Sequence, residues 1–183
     1  MEELEKVKIR YEKRKSNSSS LEKDSAFITG VKNEREKIYS EVLEKYIKNT
    51  DEASFIEIGA GAGANLPFFI NYGFAKQNIY SNEFLEDRVE VLKSNFPEIN
   101  VIPGDARALP FTGKFDVVFQ STVFTSILDY NFKIELAAKM WEMLKPGGIV
   151  LWYDFKYDNP SNKDVKGVSK SEIAKLFKQA SNI

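Results

Sequence analysis

Five short apolar runs recur along this chain, each set apart from the next by a stretch with apolar residues at helical spacing. The runs are SFIEIG from Ser54, NIYSNEF from Asn78, INVIP from Ile99, FDVVFQ from Phe115 and IVLWYDF from Ile149. After the first, Pro67 suits the opening turn of a helix that Gly73 would end. Leu85, Val89, Leu92 and Phe96 then mark a second helix, and Ile134, Ala137, Ala138, Trp141 and Leu144 a third. Lys145-Pro146-Gly147-Gly148 reads as a turn into the fifth run. A last helix is expected from Ser169, with Glu172 completing a capping pattern and Ile173, Leu176, Phe177 and Ala180 as its inner stripe. Strands separated by amphipathic helices require crossover connections, which are right-handed and place helices on both faces of a parallel sheet. The expected fold class is therefore α/β, a doubly wound parallel sheet in three αβα layers with about five strands. Ligands of such sheets sit at the carboxyl ends of the strands, where the strand order reverses.

The chain has 183 residues and a net charge of −1, which suits one domain and gives no general pull on nucleic acid or an anionic membrane. It has no cysteine and no histidine, so thiolate and imidazole chemistry are absent and proton transfer falls to Asp, Glu, Lys, Tyr or water. No metal site is expected. The charged opening MEELEKVKIR is not a signal peptide, and no apolar run reaches the roughly 20 residues of a membrane span. These features imply a soluble, cytoplasmic protein. Residues 1–32 are expected to be a cap or flexible segment, irregular over 1–30, with the polar SNSSS stretch (Ser16 to Ser20) as its loosest part. The main domain is expected over 33–183, opening with a helix capped by Asn33 and Glu36 and facing inward through Ile38, Val42, Leu43, Tyr46 and Ile47.

The first run ends in GAGAGA, Gly59 to Ala64. Gly59, Gly61 and Ala64 fit the dinucleotide pattern G-x-G-x-x-[GA], whereas Gly59, Gly61 and Gly63 fit a tighter G-x-G-x-G. Three glycines so close forgo side-chain packing, and the approach of a ligand to the backbone accounts for them best. Glu57 lies within the preceding strand. A carboxylate there is costly to desolvate without partners, and it favours a cationic ligand over a pyrophosphate.

EIGAGAG resembles the first motif, E-x-G-x-G-x-G, of the class I S-adenosylmethionine-dependent methyltransferases. Three further segments carry the same resemblance in order: IYSNEF, GDARALPF from Gly104, and LKPGGIVLWYDF from Leu144. The resemblance covers residues from about 33 to 180 and implies a Rossmann-like fold with S-adenosyl-L-methionine as cofactor and S-adenosyl-L-homocysteine as product. It implies cofactor contacts at Glu57, Gly59, Ala60, Gly61, Gly63, Glu83, Phe84, Asp105, Ala106 and Gln120. Among these, Glu83 would meet the ribose hydroxyls, Asp105 the adenine amino group, the Ala106 amide a ring nitrogen, and Gln120 the methionine part. Tyr11 to Arg14, with Phe27, resembles the cap such enzymes lay over the cofactor.

The acceptor is less constrained. QSTVF after the fourth strand lacks the Asn/Asp-Pro-Pro-aromatic signature of enzymes that methylate DNA bases, so a small-molecule or glycan acceptor is favoured over nucleic acid. The segment from Trp152 onward also resembles small bacterial methyltransferases, some of them linked to polysaccharide or secondary-metabolite pathways. Asp154 is a candidate to orient or deprotonate a hydroxyl, or else a cap for the loop that follows. The family's sixth and seventh strands have no counterpart before Ile183, which suggests a shortened chain and exposes the fifth strand to pairing with a second copy. Two alternatives stand beside this: a non-catalytic cofactor-binding or interaction module, and, less favoured, a nicotinamide-dependent oxidoreductase.

Overall fold

The computed structural model describes residues 2–16 and 25–181. Five parallel strands, β1 (Phe55–Ile58), β2 (Ile79–Glu83), β3 (Asn100–Pro103), β4 (Phe115–Ser121) and β5 (Leu144–Tyr153), form one sheet in the order β3-β2-β1-β4-β5. The chain leaves β1 toward one edge for β2 and β3, then returns to the other side of β1 for β4 and β5. The order reverses between β1 and β4, which opens a crevice above their carboxyl ends.

Alternation along the strands divides the core in two. On one face Phe55, Ile79, Val117, Phe119 and Leu151 pack under α2 (Ser25–Tyr46), α3 (Leu66–Tyr72) and α4 (Glu86–Asn95). On the other, Ile56, Ile58, Val118 and Trp152 meet α5 (Tyr130–Glu142), α6 (Lys170–Leu176) and Leu4 of α1 (Glu3–Ser16). The first face is aromatic. Phe69 is fully buried, with ring centroids 4.3 Å from Phe55 and 4.8 Å from Phe119. Helix α3 has proline in its first turn and ends at Gly73, whose φ of 119° is left-handed, as the sequence predicts. Ser169 caps α6 by accepting from the Glu172 amide.

Four expectations about the helices need correction. Residues 1–30 are not irregular throughout: α1 spans Glu3–Ser16, and α2 begins at Ser25, so Asn33 and Glu36 lie inside a helix rather than at its start. Residues 17–20 of SNSSS lie outside the described residues. The inner face of α2 is centred on Tyr39 and Leu43, with Ile38 and Tyr46 turned outward, because Tyr39 packs on Phe69 and Phe119. In α5 the buried face is Phe132, Lys133, Leu136, Ala137 and Met140, and Ile134 and Ala138 are exposed. The polar-looking Lys133 turns inward because its Nζ donates to Glu172 Oε1 at 2.9 Å.

Lys145–Gly148 is not a turn ahead of β5 but a bulge within it. Leu144 pairs with Phe115 and Ile149 with Val117, so the intervening residues swell out of register. Glycine is required at 148, where a Cβ would lie 3.0 Å from the carbonyl oxygens of Phe115 and Asp116. Asp116 pins this end of the sheet. Its Oδ2 accepts from the Ser54 amide, the Ser54 hydroxyl and Lys145 Nζ at 2.8, 2.7 and 2.7 Å.

The aromatic layer sets the stability of the sheet. Phe69→Ala removes the ring shared by α3, β1 and β4 and is expected to lower the unfolding free energy by about 3–5 kcal/mol, read by urea denaturation. A loss below about 1 kcal/mol would mean that this layer does not hold the helices to the sheet.

Candidate functional site

The residues that the topology brings to the crevice come from four strand ends. The loop after β1 folds back so that the Ala60 amide donates to Asn82 O at 2.9 Å and the Gly61 amide to Glu83 Oε2 at 2.7 Å. Glu83 Oε1 accepts from the amides of Phe84 and Leu85, each at 2.8 Å. One carboxylate, 4% exposed, thus joins the glycine loop to the end of β2. Gly59, Gly61 and Gly63 have φ of 65°, 59° and 86°, all left-handed. A Cβ on Gly59 would stand 2.6 Å from Val123 Cγ2, and one on Gly63 2.5 Å from the Phe96 ring. The fold's own backbone and packing therefore account for these two glycines, a reason beyond ligand approach. At Gly61 the nearest atom is Arg88 Nη1 at 3.8 Å, so space toward the crevice is free there.

A pocket lies over this loop. Gly59, Glu83, Phe84, Asp105 and Ala106 line it, as expected of them. Its other walls are mostly apolar, from Ile58, Val123, Ile127, Phe132 and Leu136, with Asn82, Arg88 and Ser126 as polar members. Asp105 is held by Arg107, whose Nη2 donates to Oδ2 at 2.7 Å and whose guanidinium lies 3.8 Å from the Phe132 ring centroid. Helix α1 covers the pocket with Leu4, Val7 and Tyr11. It is fastened by Glu3, which accepts from Arg10 Nη2 at 2.6 Å and from the Leu128 amide at 2.9 Å, and by Arg88 stacked 4.4 Å from the Tyr11 ring. Asn82, Arg88, Ser126 and the α1 residues went unnoticed in the sequence, apart from Tyr11. The Leu4, Val7, Tyr11 spacing is a helical stripe that would have revealed α1.

Glu57, Ala60, Gly61, Gly63, Gln120 and Asp154 do not line this pocket. Gln120 is fully buried at the end of β4, donating to Tyr153 O and Asp154 Oδ2 at 3.2 Å and accepting from the Val123 amide at 3.0 Å. Asp154 Oδ1 accepts from the Thr125 amide at 3.2 Å, so it caps the short 3-10 turn Phe124–Ser126, and burial pushes its carboxyl upward against these hydrogen bonds. Thr122, just before that turn, adopts φ of 60°, and its amide donates to Tyr153 O at 2.8 Å.

Glu57 faces the opposite side of the sheet, under α2. It is 1% exposed, Oε1 accepts from Asn65 Nδ2 at 2.7 Å, and Oε2 has no hydrogen-bond partner. The Tyr39 hydroxyl and Arg35 Nε are buried without partners in the same layer, and Asn65 Oδ1 also accepts from Arg35 Nη2 at 3.3 Å. Desolvation, aided by the Glu83 charge and opposed by Asn65 and Arg35, pushes the Glu57 carboxyl up to about 8. Burial likewise raises the Tyr39 phenol.

Residues 55–148 match the family model described as a methyltransferase domain. The chain belongs to the class I S-adenosylmethionine-dependent methyltransferases. Several solved structures share its fold. DesVI of Streptomyces venezuelae is 23% identical with a TM-score of 0.55, the match covering 69% of this chain and 55% of DesVI. A Pyrococcus horikoshii protein is 18% identical with a TM-score of 0.63, covering 80% of each chain. The glycopeptide N-methyltransferase MtfA, solved with sinefungin, is 19% identical with a TM-score of 0.51, covering 60% of this chain and 49% of MtfA. This chain thus spans about half the length of DesVI and of MtfA. No curated protein sequence matches it. Among the described residues no helix is long and apolar enough to cross a membrane.

The family's cofactor is a nucleoside bearing a cationic amino-acid tail, and the donor set fits it. Apolar walls suit a base, and two carboxylates at the rim suit hydroxyl and amino donors. The orphaned Glu57 oxygen lies behind the loop, outside this pocket, and is not part of that donor set. Because the folded protein holds the Glu57 proton more tightly than the unfolded chain, stability falls as pH rises from the ordinary glutamate range to about 8. Glu57→Gln, neutral at every pH, should flatten that fall, so variant and wild type diverge in the variant's favour between pH 5 and pH 9 in paired thermal melts. Parallel curves would mean that Glu57 is ionised throughout.

Proposed function

We propose that this chain transfers a methyl group from S-adenosyl-L-methionine to a small-molecule or glycan acceptor, in the cytoplasm. The observation that carries the reading is the convergence on one pocket of the glycine loop, Glu83 at the end of β2 and Asp105 after β3. When bound, S-adenosylmethionine supplies an activated methyl on a sulfonium, whose positive charge is lost as the methyl leaves. The chain's task is then alignment and exclusion of water, and positioning alone supplies roughly 7–11 kcal/mol of barrier reduction.

Glu83 uses three acceptor sites on backbone amides, and in this reading the remaining lone pair takes a ribose hydroxyl. Asp105, oriented by Arg107, accepts from the adenine amino group, and the Ala106 amide meets a ring nitrogen. Val123, Ile127, Phe132 and Leu136 pack on the base. Gly59 presents backbone to the rest of the cofactor, and Ala60, Gly61 and Gly63 shape the loop behind it. Glu57 orients the loop through Asn65. Gln120 acts indirectly, by fixing the β4–β5 corner where the methionine part would lie. Asp154 acts as a cap at that corner rather than as a base, so the acceptor hydroxyl or amine loses its proton to solvent. Residues 1–32 contribute the cap, through α1, and 33–183 the cofactor-binding domain.

A nicotinamide-dependent reading finds less support, since a negative Glu83 and a buried Glu57 flank the loop where a pyrophosphate would sit. Asp105→Ala is expected to weaken S-adenosylhomocysteine binding about tenfold, or about 1.4 kcal/mol, in isothermal titration, with NAD giving no heat with either protein. Unchanged affinity, or heat with NAD alone, would sink this reading. A second copy pairing along the outer edge of β5 is the assembly it expects, and sedimentation at the monomer mass at every concentration would remove that assembly.

A further inference from the structure

A second cleft opens between the amino ends of α5 and α6, separate from the pocket over the glycine loop. We propose that this cleft holds the phosphoryl group of a phosphorylated small molecule, the anionic end of the methyl acceptor. The acceptor role rests on the methyltransferase reading above; the phosphate site does not.

Its charge is the first reason. Lys133, Lys166 and Lys175 line the cleft, with Glu172 as the one carboxylate among its lining residues. Lys133 is 3% exposed, and its ammonium is matched by Glu172 at 2.9 Å. That pair satisfies itself, as a buried charge must. Lys166 and Lys175 have no ionic partner among the described residues, so two positive charges face one concave surface uncompensated. Their mutual repulsion is relieved by a dianion. The hydroxyls of Ser169 and Ser171 hydrogen-bond to each other at 2.9 Å on the same wall, and the pair keeps one O–H donor for a phosphoryl oxygen.

The rim is the second reason. Leu128 and Tyr130, 42% and 45% exposed, border the cationic floor. Free phosphate has no use for an apolar margin, whereas a phosphorylated organic molecule lays its carbon skeleton there.

Placement is the third. Phe132 lines the cofactor pocket and the adjacent Lys133 lines the cleft, so the first turn of α5 is the wall between them. The Lys166 amide donates to Thr125 O at 2.9 Å, tying the cleft's outer loop to the turn whose Ser126 borders the pocket. Both openings therefore lie at the carboxyl end of β4 and β5, where a molecule anchored by its phosphate can reach across to the cofactor.

The test titrates wild type and two variants with glucose 6-phosphate, inorganic phosphate and glucose by calorimetry, with S-adenosylhomocysteine binding measured on the same samples. Glucose 6-phosphate should bind, inorganic phosphate more weakly, and glucose not at all. The exposed pair K166Q/K175Q should weaken the sugar phosphate by roughly tenfold or more while leaving S-adenosylhomocysteine binding intact. Glu172→Gln should strengthen it several-fold, a gain that a purely structural role for the Lys133 pair does not produce. Sugar-phosphate binding that is absent, or unchanged in the lysine variant, overturns the proposal. Equal affinity for both phosphates overturns the acceptor assignment. Loss of S-adenosylhomocysteine binding in wild type would instead mark failure of the underlying methyltransferase reading.

Discussion

The carboxylate of Glu83 is the joint on which the site depends. It accepts from three backbone amides, one on the loop after β1 and two at the start of the connection to α4. Without that acceptor, the left-handed turns of the loop would have to be held by glycine alone, and glycine selects no conformation. A charged acceptor makes strong hydrogen bonds, and the surrounding burial keeps water from competing for it. The loop is therefore shaped before any ligand arrives. Asn82, whose carbonyl receives the Ala60 amide and whose side chain donates to the carbonyls of Ile102 and Gly104, extends the same bracing to the end of β3. Three strand ends are fixed to one another by polar side chains at the one place where the sheet leaves a crevice.

The two faces of the sheet divide the work. On the face carrying α5 and α6, the pocket is closed by α1, a helix dense in charge that is fastened through its buried Glu3. On the other face, Glu57 lies in a layer of aromatic rings with Arg35, Tyr39 and Asn65 as its polar neighbours. Arg35 lies 4.9 Å from the Tyr153 ring centroid, at the last residue of β5. Buried polar groups without partners are rare because each costs about 1–3 kcal/mol. Four of them among the described residues, on Arg35, Tyr39, Glu57 and its strand neighbour Ser81, mark the layer behind the loop as the part least satisfied by its own atoms.

Most of the sheet could be read directly because its signals are local. Each strand is a short apolar run bounded by glycine or polar residues, and the glycine loop follows β1 as the alternation requires. What escaped depends on contacts distant in sequence. Helix α5 presents Lys133 inward only because Glu172, far along the chain, meets it. The bulge at Lys145–Gly148 looks like a turn until Gly148 is placed against the carbonyls of Phe115 and Asp116. Gln120 and Asp154 read as residues facing a ligand because both stand at strand ends, yet Asp154 follows the end of β5 beside Gln120 and the two bond to each other. In the case of Gly59 and Gly63, the sequence could not distinguish a ligand's approach from the side chains of Val123 and Phe96, which occupy the space where a Cβ would stand.

Both tryptophans sit on one side of the sheet. Trp152 of β5 lies 4.4 Å from Phe124 and 5.8 Å from Phe177, and Trp141 of α5 lies 6.5 Å from Phe177. The aromatic layer beneath α2, α3 and α4 is built from phenylalanine and tyrosine alone. Optically the molecule is labelled on one half only. Long-wavelength emission follows the layer that borders the pocket and the lysine cleft, while the layer around Glu57 stays dark to it.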